Sequence, residues 1–157
     1  MSLVKILETL QQLELSAAEL YRDCAEMFAA DREASGVFFR LSLEEHTHAN
    51  LLAFQKRLVL HGAGPVAVPD VDLGEVVELI AKVEAFRVRR PRPTLEEAVQ
   101  FATFLEQTAA ERLHARVLTH LDGPFGGLLK NLAADDARHE QLLATLRNRL
   151  RAASAAC

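Results

Sequence analysis

Six side chains in this sequence have the types and spacing of metal ligands: Glu14, Glu45, His48, Glu106, Asp136 and His139. Glu45-x-x-His48 and Asp136-x-x-His139 each set a carboxylate and an imidazole three residues apart. On a helix that spacing is about 60° around the axis, so both groups can reach one ion. Glu14 and Glu106 each stand in an apolar register, beside Leu13 and Ala17 in one case and Leu105 and Ala109-Ala110 in the other. A carboxylate turned into a core is costly unless it is paired or metal-bound. The set is also presented twice. Leu13-Glu14-Leu15-Ser16-Ala17-Ala18-Glu19 recurs as Leu105-Glu106-Gln107-Thr108-Ala109-Ala110-Glu111, and one acid-x-x-His pair follows each copy. Two half-chains with three ligands each predict one pseudo-symmetric site for two ions.

Four carboxylates and two imidazoles, with no thiolate among them, suit iron or manganese; zinc can occupy such a site adventitiously. Four negative ligands balance two divalent ions and leave positions for water, dioxygen or peroxide. One Glu from each of two helices with an acid-x-x-His from each of two others matches the ligand pattern of di-iron and di-manganese carboxylate bundles.

Positioning these groups requires long helices, and the chain has the patterns for them. At 157 residues it fits one domain (1–157) with a sizeable core. Half of its residues are hydrophobic and a quarter charged, with seven glycines and five prolines. Apolar residues recur at three-to-four spacing from about Leu3 to Ala30, and Asp31 can cap a second helix running to about His61. The short link makes these two helices antiparallel neighbours. Residues 62–93 form a long connection rich in Gly, Pro and Arg, with one short amphipathic stretch from about Leu73 to Phe86 that Asp72-x-x-Glu75 could cap. Thr94-x-x-Glu97 reads as a capping box for a third helix ending near Leu121, before Asp122-Gly123-Pro124. A fourth runs from about Phe125 to Arg151, followed by a frayed Ala-rich tail. The expected architecture is all-α: an antiparallel four-helix bundle of two hairpins, about 3–61 and 94–151, joined by one long crossover (62–93) containing a short helix.

The totals narrow the function. A net charge of −4 gives no general reason to expect nucleic acid binding. Two cysteines, Cys24 and Cys157, cannot build a disulfide framework or an all-cysteine zinc site, so a reducing compartment is the default. The N-terminus gains Glu8 before any signal-type apolar region develops, and no stretch is apolar enough to cross a bilayer. The expectation is a soluble cytoplasmic protein with no membrane partner.

Over essentially its whole length the chain resembles the ferritin-like superfamily, in particular the rubrerythrin-type di-iron domain. The resemblance rests on Glu14 followed by Tyr21, on Phe38-Phe39-Arg40-Leu41-x-x-Glu44-Glu45-x-x-His48, and on the acid-x-x-His-Glu ending at Glu140. It implies a ferritin-like bundle in which Glu14, Glu45, His48, Glu106, Asp136 and His139 hold two iron ions. It further implies a protein that oxidises Fe(II) or reduces peroxide or dioxygen, drawing electrons from an external donor. The family tyrosine matching Tyr21 hydrogen-bonds a ligand carboxylate; read from the residues alone, Tyr21 is equally a core-edge tyrosine bonded to a backbone carbonyl. Asp136 is one methylene shorter than the family's glutamate, Leu113 occupies the position in the second half that matches Tyr21 in the first, and Thr103 replaces an additional glutamate of classical rubrerythrins. No Cys-x-x-Cys pair for a rubredoxin module is present. The other readings are a non-enzymatic iron storage or carrier subunit and a structural metal-binding bundle. Leu-rich helical faces favour a homo-oligomer, with a dimer first.

The remaining polar residues read as structural. Glu111-x-x-His114 points away from Glu106, as a solvated pair. His46 is expected to face outward, and Glu44 and Glu140 to be surface residues beside the ligands. His61 and His120 lie near helix ends, where a cation meets the dipole favourably. Cys24 reads as a small buried apolar residue. The Arg87–Arg92 segment is a solvated linker or a docking surface for an acidic partner.

Overall fold

The computed structural model describes residues 2–62, 72–109 and 124–155; within these ranges the side chains of residues 109, 124–133 and 136 are not described. All of the described regular structure is helical: α1 (Leu3–Met27), α2 (Arg32–Leu60), α3 (Leu73–Val88), α4 (Leu95–Ala109) and α5 (Pro124–Ala155). The expected end of the third helix near Leu121 lies outside the described residues. The Ala-rich tail read as frayed instead continues α5 to Ala155.

Local chemistry sets the boundaries. Ser2 caps α1 by accepting from the Lys5 N–H, and Asp31 caps α2 by accepting from the Ala34 N–H at 3.1 Å. Gly62 closes the other end of α2 at φ +88°, a left-handed conformation that a side chain would resist. Asp72 caps α3 through the Gly74 N–H. At α4 the capping box is reciprocal: Thr94 N–H donates to Glu97 Oε2 at 2.8 Å and Glu97 N–H donates to Thr94 Oγ1 at 3.2 Å.

α1 and α2 pack along each other as a hairpin. Ser35 Oγ donates to the Ala25 carbonyl and Ser42 Oγ to the Ala18 carbonyl, both at 2.8 Å, and Lys56 meets Glu8 nearer the opposite end. Residue numbers rise along one helix as they fall along the other. The buried stripe of α1 (Leu3, Ile6, Leu7, Leu10, Leu13, Ala17, Leu20, Tyr21, Cys24) follows the three-to-four spacing, and Phe38, Leu41 and Leu52 of α2 meet it in one core. α3 lays Val76, Leu79 and Val83 against the same core and packs on α1. Phe86 of α3 stacks on Phe101 of α4, ring centroids 4.2 Å apart. α5 packs on α4 and α2, burying Leu143 and Leu146.

Arg87 is no solvated linker residue. Its guanidinium reaches Glu19 at 2.6 Å and Asp23 at 2.9 Å, clamping the end of α3 to α1. Arg89 similarly reaches Glu97 of α4 at 2.6 Å.

Candidate metal centre

Where the helices meet, the core turns polar. Glu14 (α1), Glu45 and His48 (α2), Glu106 (α4) and His139 (α5) are all buried, with His139 fully enclosed. Buried leucines and alanines on these helices make the stripes largely apolar, so packing carries the polar members of each register inward with their neighbours.

Two ligand groups result. Glu14, Glu45 and His48 form one, and Glu45, Glu106 and His139 form the other; within each, one donor atom per residue lies within 4.8 Å of the rest. Glu45 belongs to both. His48 Nδ1 is 3.3 Å from Glu45 Oε2 and 3.8 Å from Glu14 Oε2. His139 Nδ1 is 3.1 Å from Glu45 Oε1 and 3.0 Å from Glu106 Oε2. The two imidazoles stack with centroids 5.6 Å apart. Each presents Nδ1 to the carboxylates and turns Nε2 outward.

The outward nitrogens are also engaged. His48 Nε2 is 3.2 Å from Asp135 Oδ2, and His139 Nε2 is 2.7 Å from Glu44 Oε2. Each outer carboxylate serves the histidine of the other helix. A proton held on Nε2 by such a carboxylate leaves the Nδ1 lone pair free for an ion. Tyr21 adds a further hydrogen bond: its fully buried hydroxyl donates to Glu106 Oε1 at 2.5 Å. Of the two readings of Tyr21, the carboxylate contact is the one present.

The electrostatics follow from this crowding. Burial, then the charges of Glu14 and Glu106, push the Glu45 carboxyl up to about 8. Burial works against protonation of the two imidazoles, but hydrogen bonds and charge from Glu14 and Glu45 raise His48 to about 11. Glu106 and Glu45 raise His139 likewise to about 11. Burial and the neighbouring Glu106 and Glu45 charges hold the Tyr21 hydroxyl well above its ordinary value, so it stays a donor. Burial opposes ionisation of Glu44, yet hydrogen bonds with Arg40 and His139 keep it below the usual carboxylate range.

Five of the six sequence-predicted ligands therefore come together. Asp136 is on α5, but its side chain falls outside the described residues, as do Glu111, Leu113, His114 and His120. His46 is exposed. Thr103 bonds the Val99 carbonyl of its own helix at 2.8 Å. Glu44, expected at the surface, is instead part-buried against His139 because α5 packs beside it. Asp135 was not singled out. Both had a signal: an acid precedes each acid-x-x-His pair, four residues before its histidine, which is one helical turn along the same edge.

The donor set fits a pair of divalent ions: oxygen and imidazole donors, inward Nδ1 atoms, and a buried carboxylate cluster whose repulsion cations would relieve. Family models, curated proteins and solved structures give no match to this chain.

Proposed function

We propose that this chain is a ferritin-like carboxylate bundle of the rubrerythrin type. On this reading it holds two metal ions, iron in the first instance, between its helical hairpins, α1–α2 and α4–α5. One observation carries the reading: two buried carboxylate–histidine groups that share Glu45. Glu14 and His48 would hold one ion, Glu106 and His139 the other, with Glu45 between them and Asp136 as the sixth candidate. Two ferrous ions, when bound, would each supply one electron, a two-electron reduction of dioxygen or peroxide, so the proposed activity is Fe(II) oxidation or peroxide reduction.

The chain's own residues do the rest. With ions bound, Asp135 and Glu44 would hold the histidine protons on Nε2. The Tyr21 hydroxyl orients Glu106 from a fully buried position. Leu13, Leu41 and Leu105, all buried, add to the apolar enclosure that limits water around these helices.

An anaerobic ferrous titration of metal-free protein, followed by dioxygen or peroxide in separate aliquots, tests this. Saturation at two irons per chain, lost in both Glu45→Ala and His139→Ala while helicity remains, is the expected result; the oxidant consumed faster then assigns the activity. Unchanged stoichiometry in both variants would refute the site. Uptake far beyond two irons would favour storage.

A further inference from the structure

The outer carboxylates do not act separately. Arg138, on α5 one residue before His139, places the same nitrogen, Nη2, 3.0 Å from Glu44 Oε1 and 2.6 Å from Asp135 Oδ1. Glu44 in turn reaches His139 Nε2 at 2.7 Å, and Asp135 reaches His48 Nε2 at 3.2 Å. One guanidinium thus closes a chain of contacts, His139–Glu44–Arg138–Asp135–His48, that runs outside the core from one ligand group to the other. Arg40 touches Glu44, at 3.1 Å, and so reaches this chain at one carboxylate.

We infer that Arg138 is a positioning residue that couples the two ion sites, so that filling one orders the histidine of the other. This rests on the two-ion reading above. An ion on Nδ1 of His139 fixes that ring and its Nε2–H bond to Glu44. A fixed Glu44 fixes Arg138, and Arg138 holds Asp135 where it must stand to orient His48. The bonds are charge-assisted, so each keeps a defined geometry. Shared Glu45 couples the sites from inside; Arg138 couples them from outside. Its side chain is 43% exposed, so replacing it opens no cavity in the core.

The test is native mass spectrometry of the metal-free full chain titrated anaerobically with Fe(II) or Co(II), which resolves the zero-, one- and two-ion species. In Arg138→Gln the second association constant, relative to the first, is expected to fall about tenfold. The one-ion species then accumulates, while the melting curve of the metal-free protein stays where it was. Arg138→Lys, which keeps a cation able to touch both carboxylates, should load like the unaltered chain. A one-ion population in Arg138→Gln equal to that of the unaltered chain would overturn the inference, and so would an equal loss at both steps. Failure of the unaltered chain to take up two ions would instead overturn the two-ion reading itself.

Discussion

At the scale of single residues, the centre is a set of groups whose protonation is opposed to their use. Near neutrality His48 and His139, raised to about 11, and Glu45, raised to about 8, each carry a proton in the metal-free fold. An ion needs the lone pairs those protons occupy, so loading should release up to three protons and affinity should rise with pH. Calorimetry in buffers of different ionisation enthalpy measures the release; an affinity flat from pH 6 to 8 would contradict it. The metal-free chain should behave oppositely. All three groups are raised, so the stability they give is complete only below their ordinary values, 4.5 for Glu45 and 6.5 for the histidines, and is lost as pH climbs from there to about 8 and about 11 respectively. Tyr21 is the other residue to probe. Tyr21→Phe keeps the ring beside Phe38, 6.2 Å between centroids, and removes only the bond to Glu106. The expected cost is about 10- to 100-fold in metal affinity with helix content unchanged, read by competition with a chelator of known affinity.

At the scale of elements, the ends of helices do more than terminate them. Asp31 caps α2 and also receives both terminal nitrogens of Arg149 from α5, at 3.1 and 2.5 Å. One carboxylate thereby starts α2 and anchors the far part of α5. Asp31→Ala should cost about 1–2 kcal/mol, most of it the lost cap, whereas Asp31→Asn keeps a capping oxygen and should cost under about 1 kcal/mol, both read from urea unfolding. Hydrogen bonds from Arg149 and the Ala34 N–H hold the Asp31 carboxyl below its ordinary 3.8. Its contribution is therefore complete above pH 3.8 and disappears as pH falls through the lowered folded value, so Asp31→Ala and the unaltered chain should converge in acid. The caps at Asp31, Asp72 and Thr94 were legible because each is a local exchange between a side chain and the next turn. The grip of Arg87 on Glu19 and Asp23 was not, because it joins residues far apart in sequence.

At the scale of the whole molecule, folding concentrates Glu14, Glu45 and Glu106 in a core that is mostly aliphatic, and cations would relieve that arrangement. Binding two ions should therefore raise the melting temperature, and an excess of chelator should reverse the rise. At free metal one hundred times the dissociation constant the gain is about 2.7 kcal/mol per site. Thermal scans with and without metal check this, and in His139→Ala the increment should be smaller or absent. Among the described residues, no helix is long and apolar enough to cross a membrane.

What the sequence determined by itself is what depends on neighbours a few residues away. The helical periods, the caps and the acid-x-x-His spacing all follow from a backbone that repeats every 3.6 residues. The repeat of Leu13–Glu19 at Leu105–Glu111 added that two such halves should face one another. Tertiary structure alone decided how the helices are rotated against each other. That rotation makes Glu45 common to both ligand groups and directs the Tyr21 hydroxyl to Glu106. It also carries Glu44 and Asp135 across to the opposite histidines, under Arg138. A residue's place around its own helix is written in its spacing, but which helix lies opposite is settled only when side chains from several segments pack at once.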